Sequence, residues 1–182
     1  MSKRYTDQVQ IQIDLRDGGM LEPATEEWYI AINPTPDGEG IDRDIIRDEL
    51  LSTLAPDNFT LRETHSTVSW GAASEIFELV MNVGYGVTGA FLHSRIEGYL
   101  DKVRSGSTVA IPEDEAGSEA RGAVCRKYPI DYGDLVVVET EVNYEQKQTR
   151  VELSAPDGSR FSVVVARKGG SITLARIVHT PA

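Results

Sequence analysis

Apolar and polar residues alternate from Gln8 to Leu15 in QVQIQIDL, placing Val9, Ile11, Ile13 and Leu15 on one side of an extended chain. A period of two predicts a strand with one buried face. Asp17–Gly19 ends it, and EEWYIAI from Glu26 reads as a second strand, closed by the turn-rich NPTPDGEG, so a hairpin with a long loop is predicted. The period then lengthens. In IDRDIIRDELLSTL, Ile41, Ile45, Ile46, Leu50 and Leu54 recur at helical spacing, with Asp42 and Asp44 near the positive end of the helix dipole. FTLRETHSTVSWG returns to an extended pattern, polar on both faces.

The most apolar stretch is IFELVMNVGYGVTGAF, Ile76 to Phe91, in which Gly84, Gly86 and Gly89 stand in the spacing G-x-G-x-x-G. As a dinucleotide-binding turn it needs a strand before it, a helix after it and an acid such as Glu113 or Asp114 for a ribose. Glu78 and Asn82 inside that strand, and no βαβ units beyond it, count against this. A membrane span needs about 20 apolar residues, and Ile76–Leu92 falls short while containing Glu78, Asn82 and the glycines. The preferred reading is one long buried helix running on through HSRIEGYLDKV, with Ile76, Val80, Val83, Val87 and Ala90 as a stripe and Ser74 as N-cap. Each interior glycine costs such a helix about 0.8–1.0 kcal/mol relative to alanine, which close packing must offset.

Ser105–Gly122 has the small, acidic composition of a loop or linker. From Val124 the pattern is all strand: AVCRKYP, LVVVETEV, TRVELSA, RFSVVVA and SITLARIV, with Asp157-Gly158 as a tight-turn signal. The predicted fold is α+β, a mainly antiparallel sheet packed against two helices with a C-terminal β-meander. Residues 1–104 form the α+β region, 105–122 the linker, and 123–182 the meander, as part of the same domain.

Charge narrows the partners. With 18 Lys+Arg against 29 Asp+Glu the net charge is −11, which repels nucleic acid and anionic lipid and attracts a basic protein. The single cysteine, Cys125, excludes an intramolecular disulfide and a thiolate zinc cluster, and suits a reducing compartment. The amino terminus alternates where a signal core would run apolar, so a cytoplasmic location is expected.

Candidate chemistry is sparse. Glu63, His65, Thr67 and Ser69 share one face of their strand, offering an acid, a base and two hydroxyls. Neighbours two apart on a strand are separated by roughly 6.5–7 Å, too far for a direct nucleophile–base hydrogen bond. A contact surface formed by His65, Thr67 and Trp70 is therefore preferred over a catalytic set of Glu63, His65 and Ser69, with His93 or Cys125 brought in by folding. The three histidines, His65, His93 and His179, lack metal-ligand spacing, and the acids Asp37–Asp44 lack the glycine of a calcium loop, so neither metal nor cofactor is expected.

Strand, helix, TLRETHSTVSWGAAS, a Gly/Ala-rich hydrophobic helix and finally TRVELSAPDGSRFSVVVAR form an order that resembles the effector-associated constant component domains of bacterial conflict systems. The acidic segment from Ser105 departs from that pattern. The resemblance implies a non-catalytic adaptor or regulatory module. The charge offers an acidic inhibitor or immunity protein as an alternative, and the polar strand Glu63–Ser69 offers a hydrolase or ligand-binding enzyme. A protein partner, basic in character, and a homo-oligomer are both compatible with the sequence.

Overall fold

The computed structural model describes residues 5–16, 23–34, 40–54, 59–69, 73–84, 87–104 and 106–182, with the side chains of 5, 67–69, 73 and 74 outside that description. The short β1 (Tyr5–Thr6) leads into β2 (Gln8–Leu15), which is antiparallel to β3 (Glu26–Ile32) with Ile11 opposite Ile30, as the alternation predicts. β4 (Ile41–Asp42) pairs with β1 and opens α1 (Arg43–Leu54). Asp42 Oδ1 accepts the backbone N–H groups of Asp44 and Ile45 at 3.2 and 3.4 Å, so the early acid caps this helix through hydrogen bonds as well as through the dipole.

β5 (Phe59–Ser69) is the polar strand. The long helix expected next is instead a strand, β6 (Ala73–Val83), and a separate helix, α2 (Gly89–Val103). Period two wins here. Phe77, Leu79, Met81 and Val83 are buried, while Glu78 on the other face accepts hydrogen bonds from Gln12 Nε2 at 3.0 Å and Thr64 Oγ1 at 2.8 Å. The polar ladder between neighbouring strands gives Glu78 partners that a buried helix would not.

Within the segment read as a loop or linker, β7 (Thr108–Ala110) leads to α3 (Glu113–Lys127), a third helix beyond the two predicted. Ala116, Ala120 and Ala123 recur at helical spacing and are all buried with Val124, so the apolar stripe exists but is made of side chains too small to register as hydrophobic. Glu113, Asp114 and Glu115 occupy its first turn and Arg126 and Lys127 its last, both favourable to the dipole. AVCRKYP accordingly lies mostly on this helix and is not a strand. The meander consists of β8 (Val136–Asn143), β9 (Gln148–Ser154), β10 (Arg160–Lys168) and β11 (Ile172–Thr180). Its Asp157-Gly158 turn is as predicted, with Gly158 at φ +90°.

Among the described residues nine strands form one sheet in the order β5-β6-β2-β3-β11-β10-β9-β8, with β7 alongside the end of β10. Every pairing is antiparallel except β2 with β6. Helices cover the two halves from opposite sides. α1 and α2 pack Ile46, Leu50, Leu54, Leu92, Ile96 and Tyr99 on one face, against β2, β3 and β6. α3 packs its alanine stripe on the other face, against Val151, Leu153, Phe161, Val163 and Ala175. β3 serves both cores: Trp28, Ile30 and Ile32 point to the first and Tyr29 and Ala31 to the second. Among the described residues, each half of the sheet thus keeps one face without a helix.

Candidate functional site

Among the described side chains of the polar strand, Glu63 and His65 are not brought within hydrogen-bond reach of one another. Glu63 lies 3.9 Å from Arg47 Nε and pairs with nothing catalytic. His65 is exposed, its ring stacked on Phe77 at 4.9 Å between centroids, with Nδ1 3.0 Å from Arg43 Nη1. Ser69 is fixed only as backbone, opposite Ala73; the side chains of Thr67 and Ser69, and Trp70 as a whole, lie outside the described residues. His93 and Cys125 are not brought to this strand. His93 pairs with Glu97 at 3.3 Å on α2 and lies 5.3 Å from the ring of Trp28. Cys125 sits on α3, where desolvation first and Asp131 second hold its thiol above the ordinary range, the opposite of what a nucleophile needs.

The glycine segment has a strand, β6, before it and a helix, α2, after it, as a dinucleotide-binding segment requires. The chain after α2 departs from that fold, because β7 joins β10 antiparallel and Glu113 and Asp114 open α3 instead of ending a parallel strand. The start of α2 is also occupied: Thr88 caps it through Phe91 N–H at 3.3 Å, and the Glu26 carboxylate lies 2.9 Å from where a Cβ on Gly89 would stand. A carboxylate in that place repels a pyrophosphate. Gly86 lies outside the described residues. Among the described residues no group of three His, Cys, Asp or Glu side chains could hold a metal ion, and no helix is long and apolar enough to cross a membrane.

Two features were not anticipated from the sequence. The first is a buried ionic clamp between the sheet and the end of α3. Asp14 on β2 stands directly opposite Glu27 on β3, both carboxylates 8% exposed, and Lys127 Nζ bridges them, to Asp14 Oδ1 and to Glu27 Oε1 at 3.1 Å. Tyr128 Oη donates to Glu27 Oε2 at 2.7 Å and Arg16 reaches Asp14 Oδ2 at 3.2 Å. Burial and then the bond to Glu27 push the Tyr128 phenol well above its ordinary range. Every carboxylate oxygen has a donor, so the buried charges are matched and the group ties β2 and β3 to the end of α3.

The second feature is the β8 edge. Beyond β8 no strand continues the sheet among the described residues. Val136 and Val138 on it are 57% and 63% exposed, and a register shift sits between Val137 and Glu139. Beside the strand runs an open groove of about 650 Å³, lined by Glu113, Asp114, Ser118 and Arg121 of α3, by Tyr132, and by Val137 and Thr140. Tyr132 is 45% exposed with the Arg121 guanidinium 5.6 Å from its ring centre. Arg167 pairs with Glu115 and Glu119 at 3.0 and 3.3 Å, whereas Glu113, Asp114, Glu139 and Glu141 make no ion pair among the described residues. An end strand with valines at successive positions, more than one buried face requires, is the sequence signal for this edge. Comparison with protein-family models, with curated proteins and with solved structures returns no match to the chain.

Proposed function

We propose that this chain is a non-catalytic, adaptor-type interaction module that takes up an extended segment of a basic partner protein along the free edge of β8. The observation that carries the reading is the edge itself: a strand paired on one side only among the described residues, with exposed valines and flanked by four carboxylates that make no ion pair among them. Backbone hydrogen bonds to an edge supply affinity and alternate side chains supply specificity, as in strand addition generally. Val136 lies on the same side of β8 as Glu139 and Glu141, and Val137 on the side of Glu113 and Asp114, so an incoming strand that carries lysine or arginine beside apolar residues suits both sides. Self-pairing of two β8 edges is disfavoured, because it brings Glu139 and Glu141 of each copy together. The same surface suits an acidic inhibitor of a basic protein, which differs only in what the contact blocks. The hydrolase reading built on Glu63, His65 and Ser69 has less support, since His65 is exposed and held by Arg43 and Phe77.

Affinity capture with the unmodified chain and with a Glu139→Lys, Glu141→Lys variant tests the proposal. Capture of a basic protein should be lost in the variant, and in the unmodified chain should weaken between about 50 and 200 mM salt as charges are screened. Capture insensitive to both changes would overturn it.

A further inference from the structure

Between the first turn of α2 and strands β10 and β11 lies a cleft of about 350 Å³, on the half-face that no helix covers. Val164, Ala166 and Leu174 form an apolar floor, and the indole of Trp28, 3% exposed, closes one end. Opposite charges flank that indole. Trp28 Nε1 donates to Glu26 Oε1 at 2.6 Å, and the other Glu26 oxygen, lying in the space left by the missing Cβ of Gly89, receives no donor among the described residues. The Arg176 guanidinium carbon stands 5.9 Å from the Trp28 ring centre and makes neither an ion pair nor a hydrogen bond among the described residues. Glu26 and Arg176 do not pair with each other. Neither group is sealed from water, so a bound molecule can take the place of that water on the Arg176 guanidinium and on the second Glu26 oxygen.

We infer that this cleft binds a free α-amino acid with a medium-sized apolar side chain. Its carboxylate meets Arg176, whose fork suits two parallel hydrogen bonds. Its ammonium group meets the second oxygen of Glu26, and its side chain lies over Val164, Ala166 and Leu174. The volume is at the small end of the range for ligand clefts, in keeping with a molecule of this size. A simple organic acid leaves Glu26 unserved and sets like charges near each other, and a simple amine does the same at Arg176; only a zwitterion answers both. The site is separate from the β8 edge, so either can fail without the other.

Isothermal titration of the full chain with L-leucine, L-methionine and L-valine tests this, alongside the leucine analogues lacking the amino group (4-methylpentanoate) or the carboxylate (3-methylbutylamine). At least one amino acid should bind with a dissociation constant of about 0.01–1 mM. For leucine, removing either charge, or making the Arg176→Met substitution, should weaken binding roughly tenfold to a hundredfold, the range for hydrogen bonds to charged groups. No saturable binding of any of the three amino acids up to about 10 mM would overturn the inference. So would 4-methylpentanoate or 3-methylbutylamine binding as tightly as leucine. The analogue comparison uses the unmodified chain, so the result stands even if the substituted chain fails to fold.

Discussion

Replacing Lys127 with methionine removes the bridge from the clamp while keeping the aliphatic bulk of the side chain. Two carboxylates, each 8% exposed and directly opposite one another on β2 and β3, are then left facing with no cation between them. Removing one partner from a buried ion pair costs about 3–5 kcal/mol. Asp14 keeps Arg16 and Glu27 keeps Tyr128, and Lys127 is itself 18% exposed, so the low end, about 3 kcal/mol, is expected. For a chain of this length that lowers the melting temperature by about 6–12 °C. Urea unfolding followed by tryptophan fluorescence measures it directly, since Trp28 is buried one residue from Glu27. Adding Asp14→Asn and Glu27→Gln to the same variant removes the uncompensated charges and should recover more than half of the loss. A loss under about 1 kcal/mol for Lys127→Met alone, or no recovery in the triple variant, would refute the view that the clamp joins the two halves of the sheet.

Other expectations rest on single groups. Tyr29 Oη is buried without a hydrogen-bond partner among the described residues, so Tyr29→Phe should be neutral or stabilise by up to about 1 kcal/mol in urea unfolding. Burial first raises the Tyr29 pKa from 10.0 to about 12; its stabilising contribution is therefore complete below pH 10 and lost as pH rises towards 12, and Tyr29→Phe should abolish that part of the alkaline decline. Cys125, half-buried with its thiol raised, should react with iodoacetamide at pH 8 more slowly in the folded chain than in urea; an equal or faster rate would mean an activated thiol. Gly158 holds φ +90° in the β9–β10 turn, so Gly158→Ala should cost about 1–2 kcal/mol, read as a lower urea midpoint at unchanged slope.

Much of the fold was legible because burial on one face writes a period of two into the sequence. β2 and most of β9, β10 and β11 stand where that alternation predicts, while β3, buried on both faces, and β5, polar on both, were marked by strand-favouring residues, and Asp157-Gly158 marks a real turn. Two segments misled for opposite reasons. β6 borders β2 on one side and β5 on the other, so Ile76 and Val80 on its polar face blur the alternation and let Ile76–Ala90 pass for a helical stripe. α3 buries alanines, whose small side chains suit close approach to the sheet but leave Ser105–Gly122 looking like a linker. The candidate site was less legible than the fold. Asp14 and Glu27 become neighbours through register, and Lys127 reaches them from a helix whose existence the composition concealed. The unpaired edge was hidden, since AVCRKYP reads as a strand ahead of β8 yet lies mostly on α3, whose packing also forms the groove.

Site-specific photocrosslinking tests the central claim most directly. A photoreactive amino acid placed at Val138, and separately at Thr64 on β5 at the opposite edge of the sheet, reports in native lysate which edge meets a partner. Strand addition at β8 gives a crosslink at Val138 to a basic protein, through an extended segment, weakened by added salt and absent at Thr64. Crosslinking at Thr64 alone, or equal labelling at both edges regardless of salt, would contradict it.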